Sequence, residues 1–184
     1  YFVQLSDITI KNLRSLNKEE LPAFTQKLKS LALNATSQKK GHLESSLGVA
    51  ELTVALHYTF NTPEDILIWD VGHQAYFHKI ITDRAEVFHT NRLKGGISGF
   101  PKRGESPFDP FSPGHSSTSI SAVMGFALSG KDSQRNHLAV IGDGALTGGM
   151  AFEALNHLGS TSLNVIIIFN DNEKSIDENV GALT

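Results

Sequence analysis

The sequence predicts an α/β protein with a mostly parallel sheet flanked by helices on both faces. Two apolar runs, 138–141 and 163–169, have the length and composition of buried strands, and each ends in a polar cluster. Between them, apolar residues recur at helical spacing from Ala151 to Leu158, and Gly159 follows where a helix would end. A strand, a helix and a second strand in this order form a right-handed crossover with parallel strands.

The two polar clusters are expected at the same edge of the sheet. The first run is followed by Gly142-Asp143-Gly144 and the second by Asn170-Asp171-Asn172. The carboxyl ends of parallel strands lie together, and ligands of open α/β sheets bind at that edge. Glycine allows a close approach of the backbone, and a helix start offers free N–H groups to an anion, so the first cluster predicts a phosphate site.

Asp143 would repel a phosphate at this position unless a cation lies between them. Mg²⁺ prefers oxygen ligands and is usually held by one or two protein groups together with substrate phosphates. The carboxylate of Asp143 and the amide oxygen of Asn172 would provide such ligands. The sequence therefore predicts a magnesium ion that joins the protein to a diphosphate.

Composition and charge exclude several classes of protein. The 184 residues carry a net charge of −3 without a long basic run, so we expect no nucleic-acid partner. No apolar stretch is long enough to span a bilayer, so we expect no membrane insertion. The lack of cysteine excludes disulfides and Cys-based zinc sites and leaves the compartment open.

The first third of the chain predicts two packing helices. Asn17 to Glu20 has the form of a capping box, and an apolar stripe at helical spacing follows from Leu21 to Leu31. The apolar segment 47–60 predicts a second helix. His42 lies on the turn between these helices, where a lone histidine is usually a solvated bystander.

A short strand, 65–70, is predicted next and ends in the turn Gly72-His73. His73 could cap the helix expected at 75–81 or belong to a site. The loop-rich stretch 82–113 mixes glycines with four phenylalanines, which leaves two alternatives, a disordered connection and a partly packed lid.

A third glycine-histidine turn, Gly114-His115-Ser116, precedes a helix predicted through Ile120 and Leu128. We expect Ser116 or Ser117 to be the N-cap of this helix. A histidine directly before a helix start could also contact a phosphate.

Other ligand classes fit less well. Residues 142–148 come within one residue of the dinucleotide-binding fingerprint, and Asp171 lies where a ribose-binding acid is expected, so a nicotinamide-binding domain is one alternative. A phosphatase of the haloacid dehalogenase type also uses a Gly-Asp-Gly turn, but its Asp-x-Asp strand is missing. The eight histidines include no His-x-x-x-His helix with an adjacent glutamate, which argues against zinc.

Taken together, these motifs resemble those of thiamine diphosphate enzymes of the transketolase superfamily, in which a Gly-Asp-Gly is followed, after one helix and strand, by asparagines. Further segments narrow the resemblance to the 1-deoxy-D-xylulose-5-phosphate synthase family. These segments are Gly41-His42-Leu43, Ser46-Leu47-Gly48, Ile68-Trp69-Asp70-Val71-Gly72-His73-Gln74 and Gly114-His115-Ser116-Ser117-Thr118-Ser119.

The resemblance implies a transketolase-like fold and an enzyme that requires thiamine diphosphate and Mg²⁺. The family joins pyruvate, after decarboxylation, to D-glyceraldehyde 3-phosphate and forms 1-deoxy-D-xylulose 5-phosphate and CO₂, the first step of the non-mevalonate isoprenoid pathway. Residues 1–184 would be an incomplete N-terminal, diphosphate-binding domain, with pyrimidine-binding and C-terminal domains following in a longer polypeptide. A homodimer in the bacterial cytoplasm, or in the plastid of a eukaryote, is also implied.

The resemblance assigns roles to individual residues as well. Asp143, Asn172 and the backbone carbonyl of Lys174 would hold Mg²⁺. His42 would be the catalytic residue, facing the reacting carbonyl and moving protons. The cofactor would be contacted by His73, Gly114, His115, Ser116, Gly144, Ala145 and Asn172.

One element of the family's chemistry is not in this sequence. The glutamate that contacts the aminopyrimidine ring of the cofactor belongs to a following domain, so we expect this chain alone to bind the cofactor poorly and to be inactive. Glu44 stands where a small residue is expected, and nothing in the sequence explains it. A non-catalytic cofactor-binding or dimerisation fragment is the remaining alternative.

Overall fold

The computed structural model describes residues 5–36, 46–130 and 134–171. The chain forms two compact units. Unit 1 comprises Tyr1–Asn61 and Gly72–Pro101, and unit 2 comprises Thr62–Val71 and Lys102–Thr184. Within the described ranges, every helix is too short or too polar to cross a lipid bilayer.

The described part of unit 1 is helical. Its α-helices are α1 (Ile10–Ser15), α2 (Leu21–Thr36), α3 (Ala50–Thr59) and α4 (Tyr76–Lys79). Short 3-10 turns cover Leu5–Asp7, Lys18–Glu20 and Phe88–Thr90, and the distorted turn Ile80–Arg84 follows α4 directly. The predicted second helix begins at Ala50 rather than Leu47, because Gly48 and Val49 form a turn.

The predicted capping box is observed on the 3-10 turn Lys18–Glu20, which leads directly into α2, and the predicted apolar stripe lies on α2. The backbone N–H of Asn17 donates to the Glu20 carboxylate over 2.8 Å. Leu28 and its stripe neighbours Phe24 and Leu31 are buried in the core of unit 1, together with residues of α1, α3 and α4. Helical spacing of apolar residues therefore identified the buried face of α2 correctly.

Unit 2 contains the described strands. In chain order its elements are β1 (Ile66–Trp69), α5 (Ser119–Ser129), β2 (His137–Gly142), α6 (Asp143–Leu146), α7 (Gly149–Gly159) and β3 (Val165–Asn170). The strands form a parallel sheet in the order β1-β2-β3. The predicted α/β class with a parallel sheet is confirmed.

Helices α5 and α7 pack on one face of this sheet. Ile68, Ala139 and Ile167 are register partners across the three strands and pack with Val123 and other residues of α5. Ala151 and Ala154 of α7 pack against Ile141 and α5. Each strand lies beside the preceding one, on the same side, in the order β1-β2-β3. Because the connections between parallel strands are right-handed, both connecting helices lie on the same face of the sheet.

The opposite face of the sheet is covered unevenly. Its register row consists of Leu67, Leu138 and Ile166. Leu67 and Leu138 are buried, whereas Ile166 is 37% exposed on the edge strand β3. The centre of the sheet is thus buried on both sides, as its continuous apolar strands predicted.

The stretch 82–113 packs within each unit. Phe88 is buried in unit 1, and Phe108 is buried in unit 2. Phe100 and Phe111 are half-buried. Of the two alternatives for this stretch, partial packing is confirmed.

Candidate functional site

The two polar clusters meet at the carboxyl edge of the sheet in unit 2. Gly142 and Asn170, the last residues of β2 and β3, are register partners. A Cβ built on Gly142 would lie 3.8 Å from the carbonyl oxygen of Asn170, so the two strand ends are in close contact. Asp143 follows as the half-buried first residue of α6. The parallel register therefore brings Asp143 close to the end of β3, where the second cluster begins.

The connection after β2 has one more element than the sequence predicted. The expected single helix is preceded by the short helix α6, and Thr147 and Gly148 separate α6 from α7. Gly148 is the N-cap of α7 with extended backbone angles, φ −73° and ψ 136°. Gly144 and Ala145 consequently lie in the first turn of α6, where backbone N–H groups have no intrahelical acceptor.

The third glycine-histidine turn lies directly before α5. Gly114, His115 and Ser116 are exposed to solvent. A Cβ built on Gly114 would meet no described atom within 4 Å, so there is open space beside this turn. A ligand could approach the backbone here.

The predicted serine N-cap of α5 is wrong. The helix begins at Ser119, and its N-cap Thr118 makes no side-chain capping bond within the described part of the chain. The carboxylate of Asp70, at the end of β1, accepts hydrogen bonds from the backbone N–H groups of Ser117 (2.8 Å) and Ser119 (3.0 Å). A residue distant in sequence replaces the local cap, because β1 ends beside the start of α5.

Ser117 connects the two turns that the sequence analysis assigned to the cofactor. Its hydroxyl donates to the carbonyl oxygen of Ala145 over 2.6 Å. Ser117 is buried, whereas the preceding residues of its turn are exposed. The structure thus brings the turn 114–117 and the segment 142–145 together in unit 2.

The remaining predicted site residues are not among the described residues of unit 2. His73 is a half-buried residue of unit 1, and its backbone carbonyl accepts a hydrogen bond from the Ser46 hydroxyl over 2.9 Å. The capping alternative for His73 is wrong, because Ala75 is the N-cap of α4. His42, Glu44, Asn172 and Lys174 lie outside the described residues.

Unit 1 contains a histidine pair that the sequence analysis did not single out. His57 on α3 and His78 on α4 are buried, and His57 Nε2 lies 3.0 Å from His78 Nδ1. Burial, followed by the nearby His78, Arg14 and Arg84, holds the pKa of His57 well below its ordinary value of 6.5. A histidine inside an apolar helix is the only sequence signal for this pair, and it is a weak one.

The described residues contain no cluster of three or more His, Cys, Asp or Glu side chains that could hold a metal ion. The predicted magnesium site requires only one carboxylate, that of Asp143, since Mg²⁺ commonly completes its coordination with phosphate oxygens and water. Of the predicted ligands, only Asp143 lies within the described residues, next to the ends of β2 and β3.

Comparison with known proteins shows which protein family this chain is similar to. The family model described as 1-deoxy-D-xylulose-5-phosphate synthase matches residues 5–184. A curated protein of that name from Cytophaga hutchinsonii is 58% identical over 175 residues, which is 94% of this chain and 28% of the relative. Another, from Thioalkalivibrio sulfidiphilus, is 56% identical over 174 residues, covering 94% of this chain and 27% of the relative. This chain thus spans less than a third of the length of these relatives.

A solved structure supports the fold independently. Transketolase from Leishmania mexicana matches 96% of this chain and 28% of its own length with a TM-score of 0.70 at 19% sequence identity. At this identity the similarity shows the fold alone. The match of the family model to residues 5–184, together with identities above 50%, shows that this chain belongs to the 1-deoxy-D-xylulose-5-phosphate synthase family.

Proposed function

We propose that this chain is the N-terminal, diphosphate-binding domain of a transferase that requires thiamine diphosphate and Mg²⁺. The complete enzyme would condense pyruvate, with loss of CO₂, and D-glyceraldehyde 3-phosphate to 1-deoxy-D-xylulose 5-phosphate, the first step of the non-mevalonate isoprenoid pathway. The observation that carries this proposal is the 58% identity over 175 residues to a curated synthase of that name. The pyrimidine-binding and C-terminal domains would follow in the complete polypeptide.

The residues at the ends of β2 and β3 fit a magnesium ion. Asp143 offers a carboxylate one residue beyond Gly142, which is the register partner of Asn170. Asn172, two residues beyond Asn170, would supply an amide oxygen, and Lys174 would supply a backbone carbonyl. All three are oxygen donors, which Mg²⁺ prefers.

The two turns joined by Ser117 fit a diphosphate. Gly114, His115 and Ser116 form an exposed turn with open space beside Gly114. Gly144 and Ala145 can offer backbone N–H groups from the first turn of α6. Because the Ser117 hydroxyl is bonded to the Ala145 carbonyl, both turns are held at the same edge of unit 2.

The proposed chemistry divides between the cofactor and the protein. When bound, thiamine diphosphate supplies the nucleophilic carbon and the electron sink for decarboxylation. Residues of this chain bind and orient the diphosphate, while His42 would hold or transfer a proton at the reacting carbonyl. His73 would contact the cofactor. The roles of both histidines, a homodimeric assembly and a cytoplasmic location rest on the family resemblance.

Calorimetry of the full-length protein tests the metal bridge. We expect thiamine diphosphate to bind with Mg²⁺ and to bind much more weakly when the metal is chelated. The Asp143→Asn variant should lose at least about tenfold in cofactor affinity, because it removes a direct carboxylate ligand and even the outer-shell partners of a metal contribute about 10- to 100-fold. Glu153→Gln, at an exposed position on α7, is the control and should bind like the wild type.

Two outcomes would contradict parts of this proposal. Cofactor binding by the wild type that is independent of Mg²⁺ would exclude the bridge at Asp143. Mg²⁺-dependent binding without formation of 1-deoxy-D-xylulose 5-phosphate from the two substrates would favour the alternative of a non-catalytic cofactor-binding protein.

A further inference from the structure

The buried carboxylate of Asp70 has a well-defined set of partners in unit 2. Asp70 is 0% exposed, and its backbone N–H extends the β1–β2 ladder to the Val140 carbonyl over 2.7 Å. Within the described part of the chain, both hydrogen bonds that its carboxylate accepts come from backbone N–H groups, those of Ser117 and Ser119. A buried carboxylate is costly unless it is hydrogen-bonded, and the N-terminus of α5 provides that stabilisation. The Asp70 carboxylate therefore connects the start of α5 to the end of β1 through these two hydrogen bonds.

Ser117 extends this connection to the next strand. Its φ of +68° lies in the left-handed region, which is unfavourable for a residue with a Cβ and is held here by the surrounding contacts. In this conformation its backbone N–H points to Asp70 while its hydroxyl donates to the Ala145 carbonyl. One residue thus bridges the end of β1 and the first turn of α6.

The side chain of Ser117 is also confined from a third side. A Cβ built on Gly148 would lie 2.2 Å from Ser117 Oγ and 2.9 Å from Ser117 Cβ. The backbone of Gly148 must therefore lie directly against the hydroxyl. The Ser117 side chain is consequently enclosed by the Ala145 carbonyl and the Gly148 backbone.

We propose that Asp70 and Ser117 are positioning residues that set the separation of the two diphosphate-binding turns, 114–116 and 144–145. This inference rests on the proposed function, which assigns those turns to the diphosphate. Both positioning residues are buried, so they act through the turns and not by touching the cofactor. Backbone N–H groups recognise a diphosphate only when their spacing is accurate to a fraction of an ångström, and neighbouring buried hydrogen bonds provide such accuracy.

Ser117→Ala and Ser119→Ala in the full-length protein form a matched pair. Ser117→Ala removes the hydroxyl that bonds to Ala145 and keeps the backbone N–H that bonds to Asp70. The Ser119 hydroxyl is also buried but has no hydrogen-bond partner among the described residues, so its removal leaves the Asp70–Ser117–Ala145 connection intact. The two variants differ in that connection and not in the kind of atom removed.

The expected result is a change in cofactor affinity without a change in chemistry. Ser117→Ala should raise the Kd and the KM for thiamine diphosphate about tenfold, as is typical when a supporting hydrogen bond is lost. Its kcat at saturating cofactor should stay within about twofold of the wild type, since no group that touches the reacting atoms is removed. Ser119→Ala should match the wild type in both quantities. Ser117→Ala should remain folded without cofactor but melt at a slightly lower temperature than Ser119→Ala, because it loses the hydrogen bond to the Ala145 carbonyl.

The outcomes separate this inference from the proposed function. If the wild type binds thiamine diphosphate and Ser117→Ala binds it as tightly as Ser119→Ala does, the positioning role is wrong while the function stands. A fall in kcat and melting temperature with unchanged cofactor Kd would show a purely structural role and would also overturn the inference. A wild-type protein that does not bind the cofactor overturns both.

Asp70→Asn gives a second line of evidence. An amide keeps the size of the side chain but presents an NH₂ group to one of the two N–H donors, so one hydrogen bond is lost. We expect a rise in the cofactor Kd in the same direction as for Ser117→Ala. Unchanged affinity in folded Asp70→Asn would contradict the proposed role of Asp70, and if this variant does not fold, Ser117→Ala decides.

Discussion

A histidine that is buried in an apolar core is more stable as the neutral imidazole, and His57 in unit 1 shows the consequences. Its ring lies 3.0 Å from that of buried His78, with the ring centroids 5.1 Å apart. One neutral imidazole can donate a hydrogen bond to the other. A protonated His57 would instead place a buried positive charge close to the guanidinium groups of Arg14 and Arg84, which makes the charged form less stable. The guanidinium of Arg14, which donates to the His57 carbonyl over 3.1 Å, adds to this preference.

This lowered pKa predicts that acid destabilises the protein. The unfolded chain takes up a proton on His57 near pH 6.5, while the folded state does so only well below that value. The free energy of unfolding therefore falls as the pH drops below about 6.5 and stops falling at the folded-state pKa. Between pH 7.5 and 5.5 we expect His57 to lower the free energy of unfolding, which urea denaturation at each pH measures.

Two variants isolate the contribution of His57. His57→Gln should show a smaller loss of stability between the two pH values than the wild type, even if it is less stable at both. His89→Gln, at an exposed position, is the control and should retain the wild-type difference. The same pH dependence in His57→Gln and in the wild type would show that His57 is not responsible.

At the scale of elements, the junction between α6 and α7 depends on the absence of a side chain at Gly148. The angles of Gly148 are accessible to any residue, so the requirement for glycine comes from packing and not from backbone conformation. Ser117, against which Gly148 packs, is bonded on two sides and cannot move away without breaking a hydrogen bond. Gly142 and Gly144 are predicted to allow a close approach of the backbone to a ligand, whereas Gly148 is needed because its backbone packs against Ser117.

Gly148→Ala should therefore destabilise unit 2. The added methyl group would overlap Ser117 Oγ, and overpacking of this kind costs about 1–3 kcal/mol. Gly149→Ala is the matched control, because a Cβ at Gly149 would meet no described atom within 4 Å and alanine favours the helix. Urea denaturation measures the free energy of unfolding of both variants. The fluorescence of Trp69, which is buried in β1 and is the single tryptophan of this sequence, reports the unfolding. Equal stability of the two variants would contradict the packing argument.

At the scale of the whole molecule, this chain spans about 28% of the length of the curated relative from Cytophaga hutchinsonii. The described site contains groups suited to a diphosphate and a metal, at the ends of β2 and β3. The family resemblance places the group that activates the other end of thiamine diphosphate in a following domain. Binding of the diphosphate and turnover are thus expected to depend on different parts of the complete polypeptide.

This division predicts the behaviour of the chain when it is produced alone. The 184 residues should bind thiamine diphosphate weakly, even with Mg²⁺, and should form neither 1-deoxy-D-xylulose 5-phosphate nor acetaldehyde from pyruvate. The full-length protein, assayed in parallel, should form the synthase product. A circular dichroism spectrum with the helix content of the structure is the control for folding. Measurable product from the folded 184-residue chain would contradict the proposed dependence on further domains.

The sequence by itself determined the α/β class, the main packing helices and strands, and the positions of the polar clusters. Helical spacing gave the buried stripe of α2, continuous apolar runs gave β2 and β3, and the capping box gave the start of the 3-10 turn that precedes α2. These features depend on residues a few positions apart, so they can be predicted from local periodicity and turn chemistry. The family motifs added the candidate site residues, and their roles remain predictions.

Only the tertiary structure decided how those local elements are joined. The hydrogen bond from Ser117 to Asp70 spans 47 residues, that from Ser117 to Ala145 spans 28, and the contact of His57 with His78 spans 21. Such partners are selected by strand register and helix packing, which leave no periodic signal in the sequence. A serine expected to cap its own helix was thus found to connect two turns, because a buried aspartate at the end of the neighbouring strand supplies the cap.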